Sequence, residues 1–448
     1  MRTIEKKKQI KGQKTVRSLY YYILVIILIG TQPISAKPTS SVLNVTLEWI
    51  IQSDSIIDQA SVDVFVPSNT SNQRILEMSF SDPAVITVDG STWKAYFNVS
   101  GIRAKKISGN FLIETDYVNR VQTNDFSEKY LEESEHVRIS DEIRKLADTF
   151  NETFPNDIIK MNEWVHNNIK YNLTYTDVTV SDIVDVTLPS DWVLENKVGV
   201  CDELSTLFIA LSRAKNIPAR IVVGYVFRDG QWIPHAWAEA YVPKYGWIEI
   251  DPTWNEFLNL NALRFRTGTG ADVSETTDRI NATAKKNATV HFQSNTFISI
   301  LNSTENEDVD IDVKFPPQFP TSEVQPVRIR AKNNVAAPIF ITASIVPPIG
   351  TECTSCKTQI FLEPNEEKTN EFSLRLPTLG INVKYTFPVT IVTDYGRKNV
   401  SFERLIISEA PEDIYKSVED LPLNFKLFVG LFMIGAVSLV IILMLTRI

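Results

Sequence analysis

The sequence predicts an α+β core flanked by all-β domains, with apolar segments near both ends of the chain. Two observations predict this: a helical apolar spacing followed by three β-rich runs between residues 199 and 254, and period-two alternation on either side. The 448 residues are enough for about three domains. The predicted boundaries are a signal peptide or N-terminal anchor at 1–36, a β-sandwich at 37–126, the α+β core at 127–266, a linker at 267–289, an Ig-like all-β region at 290–408, an acidic stalk at 409–426 and a transmembrane helix at 427–446.

A helix is predicted to begin at Cys201, directly after a glycine-containing turn. Apolar residues recur after it at the spacing of three and four that marks one buried helical face: Leu204, Leu207, Phe208 and Leu211. A thiol in the first turn lies at the positive end of the helix dipole, which favours the thiolate. The sequence therefore predicts an activated cysteine.

Three strands are predicted after this helix, at 220–227, from His235 onward and at 247–251. In the second strand His235, Trp237, Glu239 and Tyr241 share one face, and Ala236, Ala238 and Ala240 share the other. A short turn at 243–246 would bring His235 beside Asp251 if the neighbouring strands are antiparallel. In that arrangement His235 can accept the proton of Cys201, while Asp251 holds the imidazole and stabilises its charged form.

These residues resemble the transglutaminase-like superfamily of papain-like thiol enzymes. The pattern is a G-x-C helix start, then R-A-x-x-I-P-A-R, an H-A-W strand and a W-x-x-x-D-P-T strand, all in order between Trp164 and Trp254. The resemblance implies a catalytic core at 127–266, with Cys201 as nucleophile, His235 as base and Asp251 as the residue that orients the base. The expected substrate is a protein or peptide, and no cofactor is predicted. Each residue alone could be structural, but three at the ends of elements favour a site.

Less specific patterns give tentative assignments around the core. The backbone N–H of Cys201 is one candidate oxyanion donor, and Trp192 or Asn196 could supply the second. Helices are predicted at 140–150, with Ser140 as N-cap, and at 156–169. His136 and His166 receive no role, and no metal site is predicted.

The charge distribution argues against nucleic acid as a partner. The formal net charge is −9, and the first 17 residues carry seven basic side chains and one acidic side chain. Residues 18–446 carry 37 basic and 53 acidic side chains, a net charge of −16. Such a surface repels nucleic acid.

Three cysteines suggest one pair and one free thiol. Cys353 and Cys356 share the T-E-C-T-S-C-K turn, so a disulfide between them is favoured and Cys201 is left free. A zinc half-site or a reduced pair are the alternatives for these two cysteines.

Both ends of the chain predict membrane targeting. Residues 19–30 form a short apolar run behind a basic start, as in a secretory signal or an uncleaved anchor. Residues 427–446 carry no charge over the length of one membrane-spanning helix. The predicted topology is a single-pass membrane protein with its main domains on the extracytoplasmic side. Nine Asn-x-Ser/Thr sequons between the two segments agree with this: Asn44, Asn69, Asn98, Asn151, Asn172, Asn281, Asn287, Asn302 and Asn399.

Three functions compete on the sequence alone. The first is a cell-surface cysteine protease or amidase that forms an acyl-enzyme on Cys201. The second is a protein-glutamine amine transferase, which needs a hydrophobic tunnel that excludes water; Trp192, Trp232, Trp237 and Trp254 could line one. The third is an adhesion or scaffold protein with a non-catalytic core. Hydrolysis is favoured because no water-excluding device is evident in the sequence.

Overall fold

The computed structural model describes residues 38–117, 126–172, 187–258, 260–284, 288–304, 308–316, 324–347, 350–375, 385–394 and 399–408. The predicted apolar segments at 19–30 and 427–446 and the acidic stretch at 409–426 lie outside these ranges. Within them, no helix combines the length and the apolar character needed to cross a membrane.

The described chain forms four α-helices, two short 3-10 helices and 21 strands. The helices are α1 (Asp141–Ala147), α2 (Asn156–Asn168), α3 (Ser190–Asn196) and α4 (Cys201–Ala214), with 3-10 turns at Glu128–Leu131 and Val273–Thr276. The strands are β1 (Ser40–Val66), β2 (Gln73–Phe80), β3 (Val85–Asp89), β4 (Thr92–Asp116), β5 (Lys170–Tyr171), β6 (Val198–Gly199), β7 (Ala219–Arg228), β8 (Gln231–Val242), β9 (Gly246–Asp251), β10 (Glu256–Leu258), β11 (Arg264–Gly270), β12 (Arg279–Thr283), β13 (Val290–Thr304), β14 (Val309–Lys314), β15 (Val324–Asn333), β16 (Ile339–Val346), β17 (Glu352–Cys353), β18 (Lys357–Leu362), β19 (Glu367–Arg375), β20 (Tyr385–Asp394) and β21 (Asn399–Ser408).

The N-terminal sheet is built around β1, a strand of 27 residues. One edge of β1 pairs with β4, and its other edge pairs first with β13 and then with β12. The prediction of an exposed linker at 267–289 and of a C-terminal domain that starts at 290 is therefore wrong. β12 and β13 are mostly exposed, but Ile280, Val290, Phe292 and Ile298 pack against the N-terminal core.

The N-terminal sheet is also not a sandwich within 37–126. It is a single six-stranded sheet. Its apolar inner face, which includes Val45, Trp49 and Phe97, packs against Phe265 and Tyr225 of the α+β core. The second layer that a β-sheet needs to bury its apolar face therefore comes from the core, which the alternation in β1 could not reveal.

The core is a five-stranded antiparallel sheet in the order β10-β9-β8-β7-β11, with α4 packed on one face. The three alanines of β8 pack on this helical side, in one apolar cluster with Leu204, Leu207 and Leu211. The predicted alternation of β8 is therefore observed. The side chain of Ser140 accepts a hydrogen bond from the Ile143 N–H at 3.3 Å and caps α1, as predicted.

The opposite face of the core sheet carries buried charges that alternate in sign. Arg220 contacts Glu239 at 2.6 Å, Glu239 contacts Arg266 at 2.7 Å, and Arg266 contacts Glu249 at 2.8 Å. Asn72, in the connection between β1 and β2 of the N-terminal sheet, donates a hydrogen bond to Glu249 at 2.9 Å. Buried charges are tolerated only when they are paired and hydrogen-bonded, so the two sheets depend on each other at this interface.

The C-terminal region forms two four-stranded sheets in the orders β14-β15-β19-β17 and β18-β16-β20-β21, around a shared apolar core. Aromatic contacts join it to the α+β core: the rings of Phe257 and Phe340 lie 5.0 Å apart, and those of Phe154 and Phe361 lie 5.3 Å apart. An Ig-like topology for this region stays a prediction.

Gly224 gives a test of how closely β7 and β11 approach. It pairs with His235 in β8, and a Cβ added to it would lie 2.1 Å from the Phe265 carbonyl oxygen and 2.8 Å from the Arg266 Cα. We expect Gly224→Ala to destabilise the fold by at least about 3 kcal/mol, because backbone cannot move aside cheaply. Gly101→Ala, at φ +67° with nothing within 4 Å, should cost only about 1 kcal/mol. Urea unfolding of both variants measures this, and equal costs would contradict it.

Candidate active site

Local hydrogen bonds make α4 begin at Cys201. The carboxylate of Glu203 accepts the Val200 N–H at 2.8 Å and the Leu188 N–H at 3.1 Å, which satisfies a backbone donor at the start of the helix. Gly199 is required because a Cβ there would lie 2.7 Å from the Glu203 Cβ. Burial, and then the adjacent Asp202 charge, raises the pKa of Glu203 to about 7.

The sulfur of Cys201 lies against β8, beside the peptide that follows His235. The Ala236 N–H hydrogen-bonds to the sulfur. The Ser205 hydroxyl fixes the same junction, since it contacts the carbonyl oxygen of Cys201 at 2.7 Å and that of Ala236 at 3.3 Å. A second partner of the sulfur is the hydroxyl of Tyr171, whose strand β5 pairs in parallel with β6 just before the helix.

Burial dominates the electrostatics of this thiol. Desolvation, with the negative charges of Asp202, Asp251 and Glu203, raises the pKa of Cys201 to about 12, although the Ala236 N–H acts in the opposite direction. The prediction that the helix start favours the thiolate is therefore wrong for the resting protein. At neutral pH the thiol is protonated and needs a base to become a nucleophile.

His235 and Asp251 form a buried pair, as the strand pattern predicts. Their Nε2 and Oδ2 atoms lie 2.8 Å apart, and the exposed fractions of the two residues are 5% and 0%. Since an ionised carboxylate can only accept, Nε2 carries the proton and the other ring nitrogen, Nδ1, is the one that can accept a proton. This is the tautomer that a base for a protonated thiol requires.

Further contacts hold Asp251 ionised and in place. Arg264 Nη2 contacts the same carboxylate oxygen at 3.0 Å, and the Thr253 N–H donates to the other oxygen at 3.1 Å. Burial opposes ionisation, but the charges and hydrogen bonds of His235 and Arg264 outweigh it and lower the pKa of Asp251 to about 2. Asp251 therefore remains a carboxylate throughout the neutral range.

Aromatic rings fix the plane of the imidazole. The ring of Trp254 stacks on that of His235 with centroids 4.1 Å apart and an interplanar angle of 21°. Trp237 lies parallel at 6.3 Å, and its indole N–H donates to Glu249 at 3.1 Å. The guanidinium of Arg228 covers Trp254 at 4.1 Å. These contacts restrict rotation of the imidazole, so its Nδ1 keeps one direction.

The two tentative oxyanion residues contact each other. The Asn196 amide donates to the Trp192 carbonyl oxygen at 2.9 Å, across one turn of α3, and the Trp192 ring packs on the apolar core. Their role as oxyanion donors stays a prediction. Tyr171 and Arg264, which touch the nucleophile and the orienting carboxylate, were missed because no spacing motif links either residue to Cys201 or Asp251.

His136 and His166, for which no role is predicted, form contacts within the fold. His136 contacts Asp272 at 2.7 Å, and the burial of Asp272 is outweighed by hydrogen bonds from Ser134 and His136 that lower its pKa below the usual range. His166 Nδ1 faces the carbonyl oxygens of Pro252 and Thr253 at 3.3 and 3.2 Å, directly beside the turn that carries Trp254.

The remaining predicted residues are the cysteine pair and the sequon asparagines. Cys353 and Cys356 are joined by a disulfide in the C-terminal region, and Cys201 is free. Six of the predicted sequon asparagines are exposed and Asn172 is half-buried, while Asn287 lies outside the described residues and the side chain of Asn399 is not described. The exposed ones are Asn44, Asn69, Asn98, Asn151, Asn281 and Asn302.

Comparison with known proteins agrees with the resemblance in the motifs. The model of the transglutaminase-like superfamily matches residues 144–252, which contain the predicted nucleophile, base and orienting residue. This stretch is a transglutaminase-like domain.

Two curated relatives and one solved structure are similar to parts of the chain. The uncharacterized protein YebA of Bacillus subtilis is 26% identical over 162 residues, which is 31% of this chain and 21% of that protein. A protein-glutamine gamma-glutamyltransferase of Pseudomonas aeruginosa is 32% identical over 76 residues, 14% of this chain and 11% of that protein. The chain thus spans about a fifth or less of the length of these relatives. A candidate cysteine protease from Cytophaga hutchinsonii has a TM-score of 0.45 and 20% identity, covering 60% of this chain and 93% of its own.

The hydrogen bond between the Tyr171 hydroxyl and the Cys201 sulfur can be tested by substitution. We expect Tyr171→Phe to slow alkylation of Cys201 by iodoacetamide about tenfold at pH 8, because a hydrogen bond worth roughly 1–1.5 kcal/mol to the developing thiolate is lost. Tyr96→Phe, in the N-terminal sheet, removes the same hydroxyl elsewhere and should leave the rate unchanged. An unaltered rate in Tyr171→Phe would show that the hydroxyl does not stabilise the thiolate.

Proposed function

We propose that the protein is a cysteine hydrolase of transglutaminase-like type that cleaves a peptide or amide bond through an acyl-enzyme on Cys201. The observation that carries this proposal is the buried His235–Asp251 pair beside a helix-start thiol, in a tautomer that leaves Nδ1 able to accept a proton. A scaffold has no need of a fully buried histidine–carboxylate hydrogen bond beside a half-buried cysteine.

The resting thiol is protonated, so His235 acts as a general base during attack. Its Nδ1 takes the thiol proton as the Cys201 sulfur bonds to the substrate carbonyl carbon, and the carbonyl oxygen becomes an oxyanion. The imidazolium is stabilised by Asp251. It then gives the proton to the leaving amine as the carbon–nitrogen bond breaks and the thioester forms.

Hydrolysis of the thioester uses the same groups in reverse. His235 removes a proton from water, the hydroxyl adds to the carbonyl carbon, and the carbon–sulfur bond breaks as the proton returns to sulfur. The oxyanion in both halves would be stabilised by the backbone N–H of Cys201, which lies in the first turn of α4 and has no helical acceptor. We propose that the Tyr171 hydroxyl, which hydrogen-bonds to the sulfur, assists in this.

Hydrolysis is favoured over transfer to an amine because three of the four tryptophans considered for a tunnel pack against other groups. Trp237 is 1% exposed and bonded to Glu249, and Trp232 packs against Phe227 and Phe265. Trp254 is stacked between His235 and Arg228. Transfer remains the second candidate, because one relative is a protein-glutamine gamma-glutamyltransferase.

The proposal is tested with a library of amide- and glutamine-containing peptides, with and without a labelled primary amine. We expect cleaved peptide or free acid to form faster than labelled product. Cys201→Ala and His235→Ala should each lower turnover by about 10,000-fold or more, and Asp251→Asn by as much or less, because the three act as a unit. His291→Ala, at an exposed position, is the matched control. Faster incorporation of label would favour transferase activity, and no reaction would favour the scaffold.

We also propose that the enzyme acts at the cell surface, with its domains on the extracytoplasmic side. The basic start, the charge-free segment at 427–446 and the exposed sequon asparagines support this proposal. Protease added to intact cells should remove the region between residues 39 and 420. Protection of that region until the membrane is broken would contradict the orientation.

A further inference from the structure

The carboxylate that orients His235 belongs to a row of alternating charges. Beyond the His235–Asp251 contact, Arg264 Nη2 lies 3.0 Å from Asp251 Oδ2 and 3.2 Å from Glu256 Oε2. Glu256 contacts Arg228 in turn at 3.4 Å. The row has one residue on each of five strands: β8, β9, β11, β10 and β7. The hypothesised base is thus electrostatically connected to residues that no catalytic motif includes.

Arg264 is the central member of this row and is held firmly. Its side chain is 3% exposed, and its guanidinium lies 4.8 Å from the Trp237 ring centre and 5.8 Å from that of Trp254. One nitrogen, Nη2, contacts both carboxylates, while Nε and Nη1 have no hydrogen-bond partner among the described residues. The positive charge of Arg264 is therefore paired with Asp251 and Glu256.

Other charged groups face Arg264 from neighbouring elements. A cavity of about 10 Å³ beside it is lined by Glu249 of β9, Arg266 of β11 and Asp116 of the N-terminal sheet. Glu249 and Arg266 are paired with each other at 2.8 Å. The pairing of Glu249 with Arg266 leaves Asp251 and Glu256 as the acids that Arg264 contacts directly.

We propose that Arg264 is a positioning residue of the catalytic centre, which fixes Asp251 and sets the pH at which His235 can accept the proton of Cys201. This inference rests on the proposed function. Arg264 and a protonated His235 would share one oxygen, Asp251 Oδ2, so the arginine competes with the imidazolium for the same negative charge. Glu256 also pairs with Arg264, so the arginine attracts Asp251 less strongly and competes less with the imidazolium. The two residues therefore act on the base with opposite signs.

The experiment measures the rate of Cys201 alkylation by iodoacetamide from pH 5 to pH 10 in the full chain. It needs no substrate, and the other two cysteines are in a disulfide. Arg264→Gln removes a positive charge, which favours the protonated imidazole, so the midpoint of the rate profile should move to higher pH by about one unit. Glu256→Gln removes a negative charge and should move the midpoint to lower pH.

Two further variants separate charge from structure. Arg264→Lys should keep the wild-type midpoint, because one ammonium can occupy the position of Nη2 between the two acids. The double variant Arg264→Gln/Glu256→Gln should return towards the wild-type midpoint, and it keeps the test open if Arg264→Gln alone does not fold. Arg330→Gln, an exposed position in the C-terminal region, controls for net charge.

A purely structural role would lower the rate equally at every pH. Unmoved midpoints in Arg264→Gln and Glu256→Gln, or movement of both in the same direction, would overturn the proposal while leaving the proposed function intact. If wild-type Cys201 fails to react at any pH in this range, the proposed function fails and this inference fails with it.

Discussion

The alternation of β8 is the constraint on which the rest of the structure depends. One face is alanine and lets α4 lie directly on the sheet, while the other carries His235, Trp237 and Glu239. Because that second face is charged and buried, every charge on it needs a partner. Arginines from β7 and β11, and the N-terminal sheet that covers them, meet this need. The sheet face that carries His235 and the interface with the N-terminal sheet are thus one surface.

Burial also sets the pKa of the Cys201 thiol. A helix dipole stabilises a nearby negative charge by about 0.3–1 kcal/mol. The difference between an ordinary cysteine pKa of 9.0 and a value of about 12 corresponds to roughly 4 kcal/mol in the opposite direction. Burial therefore outweighs the helix dipole, so the proposed reaction requires proton transfer from Cys201 to His235. In the proposed mechanism, the carboxylate of Asp251 is already held by His235 and Arg264 and would stabilise the imidazolium without rearrangement.

The N-terminal sheet and the C-terminal region support the core in different ways. The N-terminal sheet shares a charged interface with the core and receives two strands, β12 and β13, from residues that follow the core in sequence. The chain therefore returns to its first domain before it enters the C-terminal region. That region meets the core through aromatic rings, including Phe257 in the strand that follows the turn of Trp254. Polar contacts join the two regions as well, such as Lys244 with Glu363 at 2.6 Å and Gln359 with Glu163 at 2.8 Å.

The sequence by itself determined the local features of this protein. The start of α4 at Cys201, the two faces of β8, the placement of Asp251 at the end of β9 and the Ser140 cap all follow from spacing within a few residues. Only the tertiary structure decided which edge of β1 pairs with β12 and β13, and that Arg264 contacts the carboxylate of Asp251. It also decided that Tyr171 reaches the sulfur of Cys201 and that burial keeps this thiol protonated. The physical reason is that each of these depends on groups far apart in the chain, whose contacts leave no periodic pattern in the sequence.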